Sequence, residues 1–188
     1  ITTMINVTDV TELIYMINHE RTHQLFYRQK DTAFNENSAV LLSFLISRDF
    51  VKQKYGENSI EFQRVEDMIH DTRIFSIYIT QLYTELNTLY SSDKASAEKI
   101  RLREEIFAKY IGQFEITKKD LRRYFKSFNE KKFNNAKILS VYRYYGKFDV
   151  YYQVYEKLGN DTAKTVLFFN EAAYGEEQPD QKIDWFLK

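Results

Sequence analysis

The chain has 188 residues, with 27 basic and 27 acidic side chains and no cysteine. Zero net charge gives no overall argument for nucleic acid or an anionic surface as partner. The absent thiols exclude disulfides and cysteine catalysis, and no apolar run reaches the roughly 18 residues that a membrane span needs. One proline and five glycines leave few helix breaks, while 15 tyrosines and 15 phenylalanines can fill a core, so the reading is a mainly α fold.

In chain order, Asp9 with Glu12 has the spacing of a capping box and opens a first helix to about Tyr27. The polar turn "RQKDT" leads to a second helix from about Asn35 that ends at Gly56. Asn58 with Glu61 is a further capping pattern, starting a long helix through Tyr90 with an apolar stripe that includes Phe75, Leu82 and Leu86. After "SSDKAS" a fourth helix is expected from about Ser96 to Phe125, bent near Gly112. Two more follow, over about 134–145 and 149–172, the second interrupted at Gly159. Residues 1–175 read as one helical domain and 176–188 as a polar tail, loose except where Trp185 and Phe186 dock back.

The first helix carries "HERTH". Residues four apart on a helix share a face, so His19 and His23 project together and can hold one zinc ion at about 2.0–2.1 Å. Glu20 lies beside the metal, placed to take a proton from a zinc-activated water and pass it to the leaving amine. Glu36, on the first turn of the next helix, supplies a third ligand if the two helices run antiparallel. Two histidines and a glutamate, with one position left open, form a catalytic zinc set. The bland alternative is a solvated helix with coincidental histidines. His70 reads as an exposed helix residue, and the basic run 118–132 as a solvated face, with anionic lipid or nucleic acid as the alternative.

"HERTHQLFYRQKDTAFNENSA" resembles the core of a bacterial family of putative aminopeptidases, with the pattern HELxHQxxYxKxDTxFNExFA. The shared residues are His19, Glu20, His23, Gln24, Tyr27, Lys30, Asp31, Thr32, Phe34, Asn35, Glu36 and Ala39. A second match, "NNAKILSVYRYYGKF", is similar to the family's NNAxLxSxxxYxxxxxxF and places Asn134, Asn135, Ala136 and Tyr144. Arg21 and Thr22 stand where the family has an apolar and small pair, and Asn37 and Ser38 follow the ligand glutamate.

The resemblance implies a helical, gluzincin-like zinc peptidase with peptide as partner and no nucleic acid. Tyr144 would be an oxyanion donor, with Tyr145 as fallback. Asn134 and Asn135 read equally as substrate-binding residues or as a helix cap. Asp31 and Asn35 read as partners of a ligand histidine or as turn and cap residues. Relatives look exported and lipid-anchored, which implies an extracytoplasmic location with the anchor outside this chain. The chain opens on Ile1 and reads as the C-terminal part of a longer protein. A substrate-pairing strand is expected upstream, so the isolated chain should bind zinc yet hydrolyse slowly. The "aminopeptidase" element comes from the family's name alone. The rival function is a non-catalytic helical interaction module whose zinc site is structural or silent.

Overall fold

The computed structural model describes residues 9–128 and 133–188, which form eight helices and no strand. In α1 (Val10–Leu25) the Asp9 carboxylate caps the first turn, accepting from the Thr11 backbone N–H at 2.9 Å. The helix stops where Phe26 turns extended and drives its ring into the core. The second helix, α2 (Thr32–Tyr55), begins before the expected Asn35 because Asp31 caps it, accepting from Phe34 N–H at 3.0 Å. It ends, as expected, at Gly56, whose φ of 87° suits glycine.

The third helix, α3 (Ile60–Ser91), is capped by Ser59 rather than Asn58. The fourth, α4 (Ser96–Thr117), runs through Gly112 but falls short of Phe125. A distant carboxylate ends it. Asp71, buried on α3, accepts backbone N–H groups from Arg122, Arg123 and Tyr124 at 2.8, 2.7 and 2.7 Å. Those donors are lost to a helix ladder, and Phe125 follows at φ 60° with its ring stacked 4.1 Å from Phe75. Of the basic run, 129–132 lies outside the described residues; in the rest, Arg122 pairs with Asp67 and Lys118 with Glu115.

After α5 (Asn135–Tyr145), the expected 149–172 helix is two, α6 (Phe148–Lys157) and α7 (Thr162–Tyr174). Gly159 at φ 78° breaks it, and Asp161 caps the second piece. The tail is not loose: Pro179 opens α8 (Pro179–Leu187), which buries Ile183 and sets Phe186 4.8 Å from Phe168. Trp185, expected to dock, stays 76% exposed.

Two apolar clusters share α3. One gathers α2, the start of α3, α6, α7 and α8 around Phe34, Leu41, Tyr151 and Phe169. The other joins the far half of α3 to α4 and α5 around Phe75, Leu82 and Phe114. The centre is α2, buried on every side from Phe34 to Leu45 apart from Glu36, so it shows no single apolar stripe. Its serines keep α1 close without stranding a polar group: Ser38 donates to Phe34 O, Ser43 to Val40 O, and Ser47 accepts from Asn18. His23 meets Glu36 near the turn and Tyr15 meets Phe44 farther from it, so α1 and α2 run antiparallel.

The turn between them is fastened twice. Asn35 accepts from Arg28 N–H at 2.9 Å and donates to Arg28 O at 2.8 Å. The Arg28 guanidinium faces the carbonyls of Ala172, Ala173 and Gly175 at 3.1–3.2 Å, closing the C-terminal turn of α7.

Candidate metal centre

One turn of α1 and the second turn of α2 bring three side chains to a point. His19 Nε2 lies 3.3 Å from Glu36 Oε2, and His23 Nε2 lies 3.7 Å from the same oxygen. One donor atom from each of the three falls within 4.8 Å of the others. A tetrahedral ion with bonds of about 2.0–2.2 Å has donor–donor edges of about 3.3–3.6 Å, so this corner fits such an ion with little movement. Side-chain exposures of 13% for His19, 24% for His23 and 18% for Glu36 leave it open on one side.

Burial, then the like charge of His23, hold the His19 imidazole below its usual range, against the opposing pull of Glu36 and Glu20. A neutral ring keeps the lone pair that a metal needs. His19 Nδ1 is buried and has no hydrogen-bond partner among the described residues. The expected partners are engaged elsewhere: Asp31 caps α2, and Asn35 gives its polar atoms to Arg28.

Glu20 is exposed on α1 and lines a recess of about 210 Å³ together with His19, Tyr15, Met16, Tyr144 and Tyr145. The Tyr144 ring lies 6.4 Å from that of His19, nearly parallel to it. The expected histidines, glutamates and Tyr144 are therefore brought together. Asn134 and Asn135 are not: they open α5, about 13 Å along the axis from Tyr144 at about 1.5 Å per residue. There Asn134 caps the helix, accepting from Lys137 N–H, and Asn135 accepts from the Tyr90 hydroxyl. His70 is half-buried rather than exposed, and it binds Asp71 at 3.0 Å.

Sequence reasoning missed the residue that holds Tyr144 in place. Asn37, buried beside Glu36, donates to Arg143 O at 2.7 Å and accepts from Lys147 N–H at 2.8 Å. It thereby ties α2 to the end of α5, helped by Thr80, which donates to Gly146 O. The only signal was its departure from the family pattern.

A family model described as "Putative aminopeptidase" matches residues 1–183. No curated protein and no solved structure matches the chain.

Proposed function

Since the chain belongs to the Putative aminopeptidase family, we propose that it is a zinc-dependent peptidase working at the His19–His23–Glu36 corner. The observation that carries this reading is the convergence of two imidazole nitrogens and a carboxylate oxygen within 4.8 Å. Bound there, zinc would act as a Lewis acid on the scissile carbonyl and lower the pKa of the attacking water. The chain's own groups do the rest. Glu20, on the rim of the recess, takes the proton of the attacking water and returns it to the leaving amine. The Tyr144 hydroxyl donates to the oxyanion as the carbonyl becomes tetrahedral. Amino-terminal specificity rests on the family's name. On the family resemblance, the proposal extends to a bacterial, extracytoplasmic setting with membrane attachment only through a lipid anchor outside this chain.

One observation favours the rival, a structural or silent site. Ligating histidines usually donate their second ring N–H to a partner, and His19 Nδ1 has none among the described residues. Glu20→Gln separates the readings, because an amide keeps the shape but cannot accept the proton. Zinc content by mass spectrometry should be unchanged, while kcat/KM on a peptide library should fall by two orders of magnitude or more, about 3 kcal/mol of barrier. Near wild-type turnover would remove Glu20 as the base. A zinc-loaded wild type that cleaves nothing would establish the rival.

A further inference from the structure

The recess beside the corner has a chemistry of its own. His19 is its shared wall with the three convergent donors, so whatever fills it sits next to the reacting bond. Tyr15, one turn before His19, is backed by Phe44, with ring centres 4.5 Å apart. Tyr145 is wedged against Phe75 and Phe125 at 6.0 and 5.2 Å. Met16, a polarisable side chain that favours ring edges, and the half-exposed Tyr144 complete the lining.

Size and charge narrow the occupant. An apolar cavity of about 150 Å³ accepts benzene, and this recess offers about 210 Å³. Its one carboxylate, Glu20, is exposed at the rim. An acidic side chain would meet that charge, and a lysine ammonium would be held by Glu20 at the rim rather than fill the recess. Resting on the peptidase reading above, we infer that the Tyr15–Met16–Tyr144–Tyr145 recess takes an aromatic or large aliphatic side chain of the peptide, adjacent to the scissile bond. Apolar pockets discriminate by about 10–200-fold per methylene-sized difference, so phenylalanine or leucine should exceed alanine by at least about tenfold in kcat/KM at that position.

Two measurements test this, one without catalysis. The full chain, free of zinc and labelled with ¹³C at the methionine methyls, is titrated with the N-acetyl amides of phenylalanine, leucine, alanine and lysine. The Met16 signal should move with phenylalanine and leucine and stay with alanine and lysine, while buried Met68 is unaffected. Saturation transfer to the phenylalanine ring should vanish in Met16→Trp, which fills the recess. Cleavage sites in a peptide library are then mapped for the zinc-loaded wild type and for Met16→Trp, whose preference should shift toward alanine. Equal responses to all four amides, or cleavage blind to the flanking residue, would overturn the pocket while leaving the peptidase reading intact. A Met16 response without any turnover would retain the pocket and overturn the peptidase reading.

Discussion

Two carboxylates on neighbouring helices, Glu36 and Asp71, sit beside histidines and meet opposite fates. Asp71 is fully buried and filled: three backbone N–H groups and His70 Nδ1 point at it from 2.7–3.0 Å. Among the described residues Glu36 faces two imidazole nitrogens, at 3.3 and 3.7 Å, and it remains partly exposed. Backbone amides carry protons that they cannot give up, so the Asp71 site is closed and serves architecture. An imidazole can exchange its proton for a cation, so the Glu36 site is one that a metal can enter. What surrounds a carboxylate, more than its burial, decides whether it builds or binds.

The sharpest way to break this contrast is His23→Ala. Loss of an outer partner of a ligand costs about 10–100-fold in metal affinity. Loss of the ligand itself should cost about 10³-fold, about 4 kcal/mol in a zinc titration, with the Tm of the zinc-free protein little changed. Asp71→Asn should do the reverse. Placing an amide against three N–H donors should cost about 3 kcal/mol in urea unfolding, with zinc affinity within about twofold of wild type. Zinc loss in Asp71→Asn would erase the distinction.

Asp71 also has a signature in acid. Burial alone would raise the Asp71 pKa, but the donors from Arg122, Arg123, His70 and Tyr124 outweigh it and hold the carboxyl below its usual range. Its folded pKa is below the unfolded value of about 3.9. The stabilisation is therefore complete above that pH and disappears as pH falls through the folded pKa. The gap between wild type and Asp71→Asn in urea midpoint should be constant from pH 7 to about 5 and shrink below about 4; a gap that grows in acid would refute the assignment.

Asn37→Ala, which orphans Arg143 O and Lys147 N–H, should cost about 2 kcal/mol of stability. It should lower kcat through a displaced Tyr144, with zinc retained. The smallest effect is expected from Asn135→Ala. An exposed surface bond to Tyr90 is worth about 0.5 kcal/mol or less, and turnover should stay within about twofold. A tenfold loss would return Asn135 to the substrate site.

These differences follow what a sequence can display. The corner was legible because it is local: a helical four-residue spacing, a short turn and a glutamate near the start of the next helix fix it within residues 19–36. The glycine ends at Gly56 and Gly159 were legible for the same reason. The end of α4 was not, since Asp71 removes its donors from more than fifty residues away. Nor was the Asn37 clamp on Arg143 and Lys147, or the packing of Ile183 that turns a polar tail into a helix. Local periodicity cannot show a partner that only the tertiary fold supplies.

The Arg28 clasp extends that separation to the time axis. It joins the turn at the foot of the histidine helix to carbonyls 144–147 positions later. Closure over such a span costs loop entropy before the contact returns anything. On the ribosome, residues 19–36 emerge long before the last turn of α7 is made, at about 5–20 residues per second. His19, His23 and Glu36 are thus synthesised several seconds before the carbonyls that anchor their turn. The fully braced site is a property of the finished chain.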